Sequence, residues 1–310
     1  MGLRLATDLH WCGMRADMNS PVRDGPLALL LHNLDPRTYL SSSFFAYVTL
    51  ALAFHYGGLH EPWPASSGSW TSTPTHIVYA LRIMLRNAAL TWVVYSLWYW
   101  ALYERHPSIS TAKLNKETQG APPIDQVRFE RARVMAGSLV ASLAEIMCAV
   151  LVRNHAEESF GAFHTCCFAV LGAAWSDYHF YAAHRVLHAW WPHASARIDP
   201  GRWLYCHVHS VHHKAVKSVN PWSGLSMHWF EHLLYFSRAP LFVFLCPARV
   251  PPAVFLYINI RALIGPAPGH HGFEDCLGSR FHYYHHVYYN VNFGTRPCDG
   301  TDILAGTLRQ

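Results

Sequence analysis

Three short histidine strings, placed between residues 184 and 286, constrain this chain more than any other feature. They read HRVLH at His184 and His188, HSVHH at His209, His212 and His213, and HYYHH at His282, His285 and His286. On a helix, positions i, i+3 and i+4 project from one face, so each string aims two or three imidazoles at a common point. Eight imidazoles from three places can surround two metal ions, whereas one structural zinc is closed by four ligands. Histidine occupies 23 of 310 positions. At that frequency an H-x-x-H-H pattern arises by chance roughly 0.1 times per chain, so two copies are not an accident of composition. Any fold must bring the three segments together.

Four uncharged or nearly uncharged runs say what kind of fold that is. They cover residues 39–56, 87–103, 134–152 (with one acid, Glu145) and 159–176. Each sits at the lower end of what crosses a hydrocarbon core of roughly 30 Å. The fourth is rich in alanine and glycine and suits a buried packing helix equally well. Charged residues make up only 14% of the chain, against roughly 25% in soluble domains, which points to a membrane protein. Residues 57–75 hold Glu61 and no lysine or arginine, whereas residues 104–133 hold Arg105, Lys113, Lys116, Arg128, Arg131 and Arg133. The excess of basic residues predicts a cytosolic location for that second segment. Two further spans return the chain to the cytosol at Asp177, which gives all three strings one side.

Residues 229–264 are apolar but interrupted by Arg238, Pro240, Pro247, Pro251 and Pro252. They suit a re-entrant hairpin, or helices lying along the membrane, better than a clean span. The expected fold is all-α: a multi-span membrane helical bundle with a histidine-rich di-metal site on its cytosolic face. Residues 1–36 read as a loosely ordered tail, 37–133 as transmembrane helices with the basic loop, and 134–307 as the catalytic domain. The net charge of +5 comes without a basic run, so nucleic acid is not implied as a partner. The eight cysteines show no C-x-x-C spacing, which fits a reducing or membrane setting.

Asp177, Tyr181, His184 and His188 stand at i, i+4, i+7 and i+11, one stripe down a helix. Asp177 is placed to accept the second N–H of a ligating imidazole and fix its tautomer. Outside the strings, HWFEH offers His228 as a possible ligand and His232 as a weaker one, with a buried hydrogen bond as the alternative use of its His and Glu. His270 and His271 share a turn bounded by proline and glycine. Adjacent histidines do not easily face one site, so one of them contributes, His271 by preference. Trp190, Trp191, Trp203, Trp222 and Trp229 suit a membrane interface. Imidazole ligands suit zinc, copper, iron or nickel, and the spacing does not choose among them.

Around these residues the sequence resembles the fatty acid hydroxylase superfamily, also called the sterol desaturase family. The likeness runs through DYHFYAAHRVLH, the two H-x-x-H-H strings, NPWSGLSMHWFEHLLYF, GHHGFED and NVNFGTRPCDGTDILAGT, about residues 170–307. It implies a helical, multi-pass enzyme of the endoplasmic reticulum membrane, with a non-haem centre of two iron ions that activates O2. Zinc would be a possible occupant after purification. Electrons would come from cytochrome b5 and its NAD(P)H-dependent reductase. The implied ligands are His184, His188, His209, His212, His213, His282, His285 and His286, with His271. No fused cytochrome b5 domain is evident, since no His-Pro-Gly-Gly string occurs, and the tail lacks the tryptophan usual before the family's last aspartate. The expected activity is an O2-dependent sterol C-5 desaturase. Fatty-acyl or sphingolipid hydroxylase and alkylglycerol monooxygenase are alternatives within the family, and a membrane metal transporter is the alternative from another class.

Overall fold

The computed structural model describes residues 42–58, 73–105, 113–117, 120–152, 160–191, 198–215, 218–246, 249–274, 279–295, 302 and 305–308. The expected N-terminal tail, the first residues of the first apolar run, most of the connection at 60–75 and residues 296–301 lie outside them. Among the described residues the secondary structure is helical, with one isolated antiparallel bridge between Lys113 and Phe273.

The helices are α1 (Ser42–Tyr56), α2 (Thr73–Tyr99), α3 (Ile124–Leu151), α4 (Ala162–Val186), α5 (Pro200–His207), α6 (Trp229–Phe236), α7 (Arg238–Leu245), α8 (Pro252–Ile264), the single turn α9 (Pro266–Gly269) and α10 (Ser279–Tyr288). A π-helical turn, Trp100–Arg105, prolongs α2, and two 3-10 segments, His209–Ala215 and Pro221–Leu225, follow α5. Two of the apolar runs lie in helices long and apolar enough to cross a membrane, Thr75–Arg105 and Ile124–Leu151. Their outer faces fit that reading. On α3 the exposed side chains Leu139, Leu143, Met147 and Leu151 fall every four residues, and α2 exposes Leu81, Leu85, Trp92, Val93 and Leu97. An apolar stripe of this extent facing water would be unusual for a soluble protein.

The basic segment is not all loop. Arg128, Arg131 and Arg133 stand on the first turns of α3, which begins just after Pro122 and Pro123. Arg131 lies 5.1 Å from the ring centre of Trp222, and Arg133 donates to the Met227 carbonyl at 3.1 Å. Trp222 is therefore a fully buried core residue and not an interfacial one.

The stretch from 229 to 264 breaks into three helices, as its prolines require. The last of them, α8, is the centre of the bundle: twelve of its thirteen residues are buried, all but Arg261. It packs against α1, α2, α3, α4 and α7. The fourth apolar run forms the first part of α4 and packs on α8 through its small residues. A Cβ added at Gly172 would stand 2.9 Å from Ile258 Cδ1.

Polar pairs tie these helices together. Glu145 on α3 pairs with Arg86 on α2 and accepts from Asn87 and from Asn259 on α8, both at 3.2 Å. At the end where α2 finishes and α3 begins, Glu130 accepts from Asn220 Nδ2 at 2.7 Å and Ser223 Oγ at 2.9 Å. That pair caps the second 3-10 segment. The basic ends of α2 and α3 thus sit at the same end of the bundle as the segments that follow the histidine strings.

Candidate metal centre

The nine histidines at this end form two groups, each with its ligand nitrogens within 4.8 Å of one another. One holds His184, His188, His209, His213 and His285, and the other His212, His270, His282 and His286. All nine are at least nine-tenths buried. The strings do not each aim at one point, as the spacing alone suggested. Each i, i+4 pair stays together (184 with 188, 209 with 213, 282 with 286), while His212 and His285, the middle histidines, go to the opposite group. Helical geometry explains the split in α10: residues i+3 and i+4 are about 100° apart around the axis, so neighbours in sequence must face different ions. The second string reaches the same partition in a 3-10 coil.

Local devices set these rings. Asp199 caps α5 by accepting from Arg202 N at 3.0 Å, and it also accepts from Trp190 N at 3.1 Å and Trp191 N at 3.0 Å. This fastens the end of the first string to the helix that leads into the second. Gly201 makes the approach possible, because a Cβ there would stand 2.0 Å from the His188 carbonyl oxygen. Beyond α10, Tyr289 (φ 64°) and Asn292 (φ 54°) adopt left-handed backbone that non-glycine residues seldom take. They curl the chain back so that the Val291 carbonyl accepts from His285 Nδ1 at 2.7 Å and the Phe293 carbonyl from His184 Nδ1 at 2.8 Å. Asp302 holds this return by accepting from Phe293 N at 2.8 Å and Gly294 N at 2.7 Å.

A carbonyl oxygen only accepts, so His184 and His285 carry their proton on Nδ1 and present a bare lone pair at Nε2. The same holds for His270, whose Nδ1 donates to the Pro266 carbonyl at 2.9 Å. Burial keeps these rings neutral: it pushes His184 and His270 down to about 4 and the other seven well below the usual imidazole range. Metal ligation requires neutral imidazoles.

The bare nitrogens face one another. The Nε2 atoms of His184, His209, His213 and His285 form a chain of three successive 3.1 Å contacts. Its two end atoms have no proton, and each middle atom carries at most one, so at most two of the three contacts can be hydrogen bonds. A cation among them satisfies all three. Two imidazole nitrogens each about 2.1 Å from one ion and at right angles lie about 3.0 Å apart, close to the spacing seen. His188 Nε2, His282 Nε2 and both nitrogens of His286 are buried with no hydrogen-bond partner. The donor set fits two transition-metal ions.

The remaining expected residues fall as follows. His270, and not His271, stands in the four-histidine group; the His271 ring lies outside it, stacked 5.7 Å from Trp98 and accepting from Phe273 N at 3.1 Å. His228 is the half-buried N-cap of α6, its Nδ1 accepting from Phe230 N at 3.3 Å, and His232 donates to the Leu225 carbonyl at 2.9 Å. Both point away from the groups because helix capping and packing against α3 claim their rings. Asp177 touches no imidazole. It accepts from Arg261 at 2.7 Å and Thr295 at 2.8 Å, which braces α4 against α8 and against the return segment. The imidazole N–H groups it was expected to receive go to backbone carbonyls instead. Tyr181 packs edge-on against Phe293 and reaches Thr307 at 3.4 Å.

The chemistry the sequence reading missed is Glu231. Its Oε1 lies 2.6 Å from His209 Nδ1, it is 4% exposed, and its Oε2 has no partner. It is the one carboxylate among the described residues bonded directly to a ring of the two groups. Burial alone pushes this acid well above the usual carboxylate range. A cation held by His209 would offset that cost and keep the carboxylate ionised. The signal was in HWFEH, whose acid meets a histidine ring 22 residues earlier.

Residues 169–307 match the family model for fatty acid hydroxylase, a span that contains all nine histidines and Glu231. No curated protein and no solved structure matches the chain. The family is one of oxidoreductases, and the two histidine groups within the matched residues could each hold a metal ion. The chain carries a fatty acid hydroxylase domain at residues 169–307, of the superfamily that includes sterol desaturases.

Proposed function

We propose that this chain is a membrane enzyme that binds two iron ions through the nine histidines of the two groups and oxidises a sterol, introducing the C-5 double bond. The observation that carries the two-ion reading is the chain of three 3.1 Å contacts between imidazole nitrogens that hold too few protons to bond them all, adjoined by a second buried group. Bound iron would supply O2 activation and hydrogen removal from an unactivated C–H bond. The protein's own residues do the rest. The carbonyls of Pro266, Val291 and Phe293 hold three ring protons at Nδ1. The Phe293 ring packs over His184, His188 and His285 and keeps water from that side.

The ligands lie at the basic ends of α2 and α3, which supports a cytosolic face by the distribution of positive charge. That face suits electron supply from cytochrome b5 and its NAD(P)H-dependent reductase at the endoplasmic reticulum. Exposed aromatics at the same end, Trp190, Trp191, Trp203 and Trp229, suit the entry of a membrane-dissolved sterol. A transporter reading receives no support, because rings fixed by carbonyls and fully buried suit retention of an ion and not its passage.

The test is a lipid profile of cells with and without the chain, paired with metal analysis of the purified protein. The expected results are two iron ions per chain and accumulation of a Δ7-sterol lacking the C-5 double bond on deletion. Unchanged sterols with loss of hydroxylated ceramides would replace the sterol substrate with a fatty-acyl one. A content of one ion or none would sink the two-ion reading.

A further inference from the structure

The four-histidine group contains one ligand that belongs to none of the three strings. His270 sits in the turn after α9, and its ring reaches toward His212 at 3.4 Å and lies 4.3 Å, centre to centre, from His282. A ligand on a turn needs that turn held, and beyond the bond of His270 to the Pro266 carbonyl, further fastenings come from outside the residues that match the family.

Tyr103, on the π-helical turn that ends α2, places its hydroxyl 2.9 Å from the His271 carbonyl oxygen and 3.0 Å from that of Val219. A phenol has one proton, shared here between two carbonyls that only accept. The hydroxyl therefore joins the turn to the segment just beyond the second string. Leu114 N donates to the Gly272 carbonyl at 3.0 Å, which adds a second tie from the same side. Trp98, one turn before Tyr103, stacks on the His271 ring and closes off the direction in which the neighbouring histidine could turn. The turn fits this clamp closely: Gly272 has φ +80°, and a Cβ there would stand 2.4 Å from the Val219 carbonyl oxygen and 3.1 Å from Tyr103 Oη. π-helical turns recur at functional sites because the extra residue re-aims the side chains that follow.

We infer that Tyr103 is a positioning residue for the metal ion of the four-histidine group, acting by holding the 270–273 turn so that His270 faces His212, His282 and His286. This rests on the two-ion reading given above. The α2 end then serves the centre as well as any membrane anchoring. The five-histidine group has no such dependence, since its rings are set by Glu231, Val291 and Phe293, all within the matched residues.

The experiment uses the full chain in detergent, loaded with Fe(II) or Co(II), and measures ions per chain during titration with a chelator. Tyr103→Phe removes only the hydroxyl. One ion should be released at roughly 10- to 100-fold lower chelator concentration than in the parent, the scale usual for supporting residues around a metal. The second ion and its Co(II) absorption should be unchanged. Tyr95→Phe is the control: Tyr95 lies on the same helix, fully buried, and donates to the Leu263 carbonyl at 3.1 Å, away from the centre. It should release both ions as the parent does. Equal release from Tyr103→Phe and the parent, or the same loss in both variants, would overturn the inference. A parent that binds fewer than two ions would overturn the two-ion reading on which it rests.

Discussion

The two histidine groups adjoin, with His213 and His286 rings 4.6 Å apart, yet they are built differently. The five-histidine group draws on all three strings, has a carboxylate behind one ring, and is braced wholly by residues near the C-terminal side of the chain. The four-histidine group borrows a ligand from a turn and is braced from α2. A site with more ligands and an anionic partner should hold its ion more tightly. A site with fewer ligands keeps more positions for other molecules. The difference predicts one firmly held ion and one more exposed to exchange.

The comparison breaks most decisively at the ligands. His213→Ala should empty the five-histidine group and His212→Ala the four-histidine group, each taking lipid oxidation to background while the fold survives, as read by metal analysis and gel filtration in detergent. Activity retained in either variant would mean that one group is not part of the centre. Glu231→Gln keeps the shape and removes the charge. It should weaken the ion beside His209 about 10- to 100-fold in a chelator titration, with the other ion untouched. Equal weakening of both ions would erase the distinction between the groups. Asp177→Asn should leave ion content unchanged at first and lower stability by roughly 2 kcal/mol, because it weakens the charged hydrogen bond with the partly exposed Arg261. A shift in thermal unfolding without a change in metal content is the expected signature, and early loss of metal would show that bracing and binding are not separate.

Much of this was legible in the chain. The strings announced eight of the nine ligands, because positions i, i+3 and i+4 lie close together on a helix whatever surrounds them. The partition between ions was hidden, since it depends on where three separate segments stand relative to one another. His270 could not be told from His271, because Gly272 at positive φ and the Trp98 ring, both set by tertiary contacts, decide which of the two turns inward. Glu231 lay in plain view but its partner did not, being on a different segment. The apolar character of α8 was visible, but uniform hydrophobicity does not separate a helix in lipid from one buried among helices.

That helix has a consequence for how the molecule is made. Thirteen residues span about 20 Å, too little to cross a bilayer core of roughly 30 Å, and α8 is apolar apart from Asn259 and Arg261, which bond to neighbouring helices. It has no stable place of its own in either water or lipid, and it finds one only when α1, α2, α3 and α4 are already there to receive it. His270, the third string and the carbonyls of Val291 and Phe293 all follow it in the chain. The centre is therefore the last part to close during biogenesis. A chain that fails to seat α8 is left with His184, His188, His209, His212 and His213 and no second half to meet them.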